Sequence, residues 1–388
     1  MEEEKYQREL NIRKIVITSM VVILVIVAII LFSLYIAKPN FRRWVDTNIL
    51  RKDIKSENVA TIDLNVDKNN QVFCYDKYIS VLREKNLKLY NSVGENVTEI
   101  SVDINTAIFS SKDKYLALAE KNGQEFCVIL DKTYLWRQKV DGEILQIYVN
   151  KNGYIALVTT DTTYKSIITV YDSTGKQLMR KFLASTRVID VSISNDNKYL
   201  AYAEMDTSGT LIKSNVKIIS IEKAQTNTEE VEVYSKEQAI SKMIIKIQYQ
   251  EKNELVCVYD DEIDVIKENK ESELLKKDDT ITFMSGNLNN SIAYVKEQQN
   301  GVFNSSSTLN ITNISNNQIS TYNFKEIAKE MYTSGNVIGV NIGTEIYFIG
   351  TNGILKKKYT SSQEITNVIM TNSLGIVIYK DRIEIISF

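Results

Sequence analysis

The sequence predicts an all-β fold: an eight-bladed β-propeller with three-plus-one strand closure, preceded by one N-terminal transmembrane helix. Three observations predict it. First, a dozen residues are spelled nearly twice, FSSKDKYLALAE (Phe109–Glu120) and ISNDNKYLAYAE (Ile193–Glu204). Second, related apolar tetrads recur along the chain at a mean spacing of about 42 residues, within the blade-repeat range of propellers. Third, the final unit holds three strands instead of four, while one orphan strand stands before the first complete unit. Seven blades is the alternative, should the irregular stretch 222–254 hide a misassigned unit. Two open β-sandwiches would explain alternating strands but not so long a period.

In order from the N-terminus, the chain divides into a short tail (1–14), a transmembrane helix (15–37), a juxtamembrane linker (38–56) and the propeller (57–388). From Ile15 to Ala37 it runs without a charge. As a helix rising about 1.5 Å per residue, this stretch spans roughly 35 Å, enough for a hydrocarbon core of about 30 Å. A cleaved signal peptide is the rival reading. The apolar run is longer than such segments usually are, and it leads into no small-residue cleavage pattern. It leads instead into KPNFRRW, in which Phe41, Arg42, Arg43 and Trp44 suit the membrane interface. Lys and Arg flank both ends, so the positive-inside rule does not choose an orientation. A lone apolar segment ahead of a large domain favours an extracytoplasmic propeller; a cytoplasm-facing propeller scaffold is the alternative.

The repeat tetrads begin at Tyr78, Tyr115, Tyr154 and Tyr199, with weaker copies at Glu254, Ser291, Val337 and Gly375. Tetrads such as YLAL fit a strand buried on both faces, with small Ala letting neighbours approach. Asp113 and Asp196 sit where a carboxylate accepts bonds from a tight turn. Around Tyr154 four strands read in sequence: ILQIYVN, YIALVTT, SIITVYD and QLMRKFL. Around Tyr199 the same order gives VIDVSIS, KYLAYAE, NVKIISIE and EVEVYS. The orphan strand is NVATIDLN (Asn58–Asn65), and the last unit is ITNVIMT, GIVIYKD and RIEIISF. Pairing the orphan with these three closes the ring and removes free sheet edges. KEIAKEMY (Lys325–Tyr332) reads as a short amphipathic helix between the sixth and seventh blades.

FSSKDKYLA and ISNDNKYLA resemble the FSxDxKxLA signature of WD40-like and TolB-type propellers. The layout of tail, membrane helix and single propeller resembles a family of clostridial membrane-anchored propellers without assigned activity. The Gly-His and Trp-Asp pairs of true WD40 repeats are missing, and the resemblance carries over no functional residue.

Composition narrows the chemistry. The chain has 388 residues, 47 basic and 49 acidic side chains, and no histidine. Near-neutral charge gives no electrostatic footprint for nucleic acid. Without histidine, Ser-His-Asp and Cys-His nucleophiles and His-ligated metals are excluded. Cys74, Cys127 and Cys257 each lie in an apolar run and read as small buried hydrophobes rather than a disulfide with a spare thiol. The two tryptophans, Trp44 and Trp136, do not make a quinone-stacking site, and the Gly-containing turns match no phosphate loop. YDDEID (Tyr259–Asp264) reads as a charged hairpin tip rather than a calcium loop, since the EF-hand spacing is absent. No catalytic residue, cofactor or metal is therefore expected. An enzyme using Tyr and Asp or Glu on cell-surface carbohydrate is the alternative.

Most links between second and third strands are tight, but three are long: Thr160–Ser166, Met205–Asn215 and Glu297–Thr308. In a propeller these links share a face with those joining the blades. Long loops on a rigid scaffold are where binding concentrates. Tyr164, Asp206, Lys213 and Phe303 are the expected contact residues. The expected partners are membrane lipid through the helix, and an envelope protein or cell-wall polymer through this face.

Overall fold

The computed structural model describes residues 12–38, 41–42, 45, 49–50, 54–55, 59–64, 69–226, 231–237, 242–299 and 305–388. The chain divides into two compact units, Met1–Asp53 and Ile54–Phe388. In the first, one helix spans Ile12–Ala37. Val16–Ala37 within it is apolar and long enough to cross a membrane, with none of its hydrophobic window buried in protein. Ile15 and Ala37 both belong to this helix. Beyond the helix, the Arg42 N–H donates to the Lys38 carbonyl at 3.0 Å. Phe41 is half-buried and Arg42 exposed; Arg43 and Trp44 lie outside the described residues.

The second unit is an eight-bladed propeller. Every sheet but one has four strands hydrogen-bonded to their neighbours, and six of the eight follow chain order without interruption. The first blade covers Gln71–Ser101, the second Ala107–Lys139, the third Glu143–Leu183, the fourth Thr186–Glu237. The fifth covers Ile244–Lys276, the sixth Ile281–Phe324 and the seventh Glu330–Thr360. The eighth takes three strands from Val368–Ser387 and its fourth from Ala60–Asp63, which pairs antiparallel with Arg382–Ser387. The three-plus-one closure is thus present, and Ile62 lies opposite Ile383 across it. The irregular stretch after Glu222 holds no extra unit. It contains the end of a short helix (Ile221–Thr226), the fourth strand of the fourth blade and the first strand of the fifth.

One strand departs from the sequence expectation. Ile54–Lys55 runs parallel to Leu355–Thr360 and makes the seventh blade five-stranded. It falls within the stretch 38–56 read as linker. KEIAKEMY is not helical: 325–329 form an irregular link and Glu330–Ser334 is the innermost strand of the seventh blade. The competing demand is burial. Ala328 packs into the core with its N–H on Ser307 Oγ at 2.8 Å, and Met331 joins the same apolar cluster. A helix would withdraw the backbone groups that the sheet pairs.

The tetrads form the second strand of each blade, and their alternation builds the core. Leu116 and Leu118 face the first blade, whereas Ala117 and Ala119 face the third. Leu200 and Tyr202 face the third blade, Ala201 and Ala203 the fifth. Each of these apolar clusters accordingly lies in the seam between two neighbouring blades. The closing seam sets Ala60, Ile62, Ile383 and Ile385 against Ile79 and Val81 of the first blade. Burying each such large side chain contributes about 1.5–3 kcal/mol. The three cysteines are free and buried. Burial pushes the Cys74 and Cys127 thiols up to about 12, which leaves them inert at neutral pH.

The repeated dozen residues also have a local explanation. Asn197 and Asp113 adopt left-handed backbone at φ of 62° and 49°, where Asn and Asp are tolerated. Asp196 Oδ1 accepts the Ser194 hydroxyl at 2.6 Å and the Lys198 N–H at 3.2 Å, closing the turn as its type predicts. The terminal Glu ties the blade's own entry link. Glu120 accepts the N–H groups of Asn105 and Thr106 at 2.7 and 3.1 Å, and Glu204 accepts the Thr186 hydroxyl at 2.6 Å.

Candidate functional site

Two features of the propeller offer recognition chemistry: the face bearing the links from second to third strands, and the axial channel between the innermost strands.

On the first, the long links prove to be partly extended hairpins. In the fourth blade the ladder runs as far as the pair Asp206 and Lys213, leaving only 207–212 as the tip. At that tip Leu211 and Ile212 are 51% and 47% exposed. Asp206 Oδ1 accepts the Ser208 N–H at 2.8 Å; the bonds from Ser208 hold its carboxyl below the usual value, with Lys165 and Lys213 adding to the effect. Lys165 comes from the third blade, so these two hairpins are electrostatic neighbours. In the third blade Asp161 Oδ1 accepts the N–H groups of Thr163 and Tyr164 at 2.7 and 2.6 Å, which folds the link tightly. The Tyr164 ring packs on Phe182 at 4.9 Å, and the Arg180 guanidinium lies over the Phe182 ring, 5.0 Å from its centroid. In the sixth blade the ladder extends to Gln299 and Ser305. Phe303, beyond it, lies outside the described residues. The structure therefore brings Tyr164, Asp206 and Lys213 to adjacent hairpins of one face. Met243 and Ile245, at the entry to the fifth blade, are also exposed.

The channel has no counterpart among the sequence expectations. Neighbouring first strands pack around it, and three voids follow one another along it. One of about 410 Å³ opens among the turns joining first to second strands, lined by Asp76, Lys112, Asp113, Asn287, Thr333 and Asn372. The next, about 390 Å³, is bounded by Phe109, Lys112, Gln146, Asp190, Lys246 and Asn287. A third of about 360 Å³ opens towards the hairpin face, past Phe109, Asp190, Ile245 and Lys246. Asp190 Oδ2 accepts the Ile247 N–H at 2.9 Å, yet burial still pushes its carboxyl above the ordinary range. Burial likewise lowers the Lys112 ammonium, although Asp113 and Glu251 favour its charged form. The sequence signal for this site is faint: polar residues at alternate positions of the first strand of several units, where an inward-facing core would be apolar.

YDDEID is a hairpin tip. Asp260 Oδ1 accepts the Met243 N–H at 3.0 Å and Glu262 pairs with Lys242 at 2.5 Å. Among the described residues no group of His, Cys, Asp or Glu is arranged to hold a metal ion.

The eight sheets form a closed β-propeller, with hairpins on one face and polar side chains along its axis. Residues 50–388 match the family of unknown function DUF5711, and the chain belongs to that family. No curated protein matches it in sequence. Among solved structures it is similar to BamB from Moraxella catarrhalis, at 10% identity and a TM-score of 0.48, covering 85% of this chain and 97% of that one. It is also similar to the β-propeller domain of Cps50 (Swd1) from Myceliophteria thermophila, at 11% identity and 0.47, covering 84% and 99%. AztD from Citrobacter koseri stands at 8% and 0.45, covering 76% and 87%. The fold assignment rests on this chain's own eight sheets.

Proposed function

We propose that the protein is a membrane-anchored binding module of the bacterial cell envelope, with no chemistry of its own. The helix Ile12–Ala37 serves as anchor, Phe41, Arg42, Arg43 and Trp44 as its interfacial collar, and the propeller lies outside the cytoplasm. The observation that carries the reading is the pair of neighbouring hairpins on the third and fourth blades. They hold Tyr164, Asp206 and Lys213 beside exposed Leu211 and Ile212, on a scaffold closed by pairing Ala60–Asp63 with the eighth blade. A rigid platform with an apolar tip rimmed by charge suits an envelope protein. The resemblance to clostridial membrane-anchored propellers, noted on the layout of tail, membrane helix and single propeller, agrees with this placement.

Two experiments test the proposal. Protease applied to intact cells should release the propeller by cutting between Asn40 and Glu57; full protection would place it in the cytoplasm. A photo-crosslinking side chain at Leu211 should trap a discrete partner in cells, and replacing 207–212 by a two-residue turn should abolish the adduct made from a second probe at Tyr164. Persistence of that adduct after the tip is removed would show that the hairpin face does not carry recognition.

A further inference from the structure

Lys112 and Lys246 stand out among the cations of the propeller. Lys112 borders both the void at the turn face and the middle void; Lys246 borders the middle void and the one above it. Among the described residues neither forms an ion pair or a side-chain hydrogen bond, in contrast to Lys217, Lys242, Lys296 and Lys358. Lys112 is half-buried, and burial disfavours its charge, whereas Lys246 is exposed along the channel. The one carboxylate in the middle void, Asp190, spends an oxygen on the Ile247 N–H. Beside the lysines stands Phe109, 46% exposed although it lines the channel, its ring stacked at 4.6 Å on Phe73. An open aromatic face, amide side chains and two cations free of ion pairs around a void of about 390 Å³ form a pocket of ligand size.

We propose that the middle of the axial channel binds a small anion bearing phosphate or carboxylate groups, held between Lys112 and Lys246. The ammonium groups supply charge-assisted bonds to the anion's oxygens. Gln146 and Asn287 border the same space; each amide gives one N–H to a carbonyl, of Ile189 and Thr333, and has a second to offer the ligand. The Phe109 ring covers whatever apolar part the ligand has. Asp190 sets the selectivity: it opposes a second anionic group placed on its side of the channel. The proposal is independent of the hairpin face, and either can fail without the other.

The test uses the full chain in lipid nanodiscs. Thermal unfolding is followed by intrinsic fluorescence while inorganic phosphate or citrate is titrated, with ionic strength held constant by chloride. A ligand that binds the folded state alone raises the midpoint in a saturable way. We expect such a rise with at least one of the two anions, and the preferred one distinguishes phosphate from carboxylate recognition. Lys112→Gln and Lys246→Gln should each weaken the response by roughly ten-fold or more in concentration, and the double variant should abolish it. Lys112→Arg, which keeps the charge, should retain it. Lys270→Gln, on an exposed outer strand, should leave it unchanged. Without anion, Lys112→Gln should unfold at a higher temperature than the wild type, since it removes an unpartnered ammonium; this also establishes that the variant folds. The proposal is overturned if neither anion gives a saturable rise, or if the double variant responds as the wild type does.

Discussion

On the face carrying the turns between first and second strands, one blade is joined to the next by amide side chains. Asn150 and Asn152 reach from the third blade to Ser194, Asn195 and Asn197 of the fourth. Asn195 reaches on to Gln250 of the fifth, and Gln250 to Gly286 and Asn290 of the sixth. Asn287 continues to Thr333 of the seventh, and Asn372 of the eighth accepts from Asn336. The opposite face also carries ion pairs. Asp278 holds Lys296 at 2.7 Å and Glu364 holds Lys329 at 2.6 Å as exposed pairs, while Glu262 with Lys242 at 2.5 Å and Glu204 with Lys217 at 3.0 Å keep a buried carboxylate within one blade. Amides bonded to backbone do not titrate and are little screened; exposed ion pairs respond to acid and salt. From the third blade to the eighth, one rim is thus sewn by bonds indifferent to the medium. The rim that bears the hairpins adds ion pairs, which respond to it, to neutral bonds such as the Val188 N–H on Ser166 Oγ at 3.0 Å and the Ile244 N–H on Ser214 Oγ at 3.2 Å.

The largest expected effect tests whether either rim matters beside the closing seam. Ile62→Asp places a charge in the core between the first and eighth blades, and should cost about 4 kcal/mol or more, read as a large fall in the urea midpoint. If the midpoint barely moves, the ring does not depend on its closure. Next comes Asn150→Ala. It removes bonds to Ser194 and Asn197, and strands the N–H groups of Asn152 and Tyr154 that Oδ1 accepts at 3.0 Å. A loss of about 1–3 kcal/mol is expected, constant from neutral to acid pH. A loss that varied with pH would undo the contrast between the rims.

The charged rim should weaken in acid. The Asp278 carboxyl is lowered from 3.8 to about 2, by the Lys296 bond first and the Thr280 hydroxyl second. Its folded value lies below its unfolded one, so its contribution is present above pH 3.8 and disappears as pH falls through about 2. Between these values Asp278→Asn should show a shallower decline of thermal midpoint than the wild type; equal slopes would show that this pair contributes nothing. The smallest effect belongs to the hairpin tip. Replacing 207–212 by a tight turn should change stability by about 0.5 kcal/mol at most, because loop length costs little. A large loss would mean that the tip is structural and not a recognition element.

Much of this architecture is legible in the sequence, and the reason is physical. A strand buried between two neighbours needs apolar residues on both sides, so YLAL and YLAY betray second strands wherever they occur. Ser291 and Val337 begin strands that keep the same burial with different letters, which is why the weak copies still fall at the right spacing. Ile54–Lys55 is illegible because two residues carry no periodicity. KEIAKEMY misleads because Ile327, Ala328 and Met331 have helical spacing, whereas pairing with Val337–Asn341 and burial of Ala328 decide the outcome. Of the candidate site, Tyr164, Asp206 and Lys213 follow from link length alone. Lys112, Asp190 and Lys246 do not, since only the ring's curvature brings residues of the second, fourth and fifth blades to one axis.

The closing strand also dictates an order of assembly. Ala60–Asp63 leaves the ribosome before any complete blade, whereas its partner Arg382–Ser387 belongs to the last blade made. Seven blades can stack on their predecessors as they emerge, each finding its neighbour nearby in the chain. The first strand must instead wait for the eighth blade with its edge unpaired. A nascent propeller interrupted before Arg382 would therefore carry two raw seams at once, and those seams are where quality control would meet it.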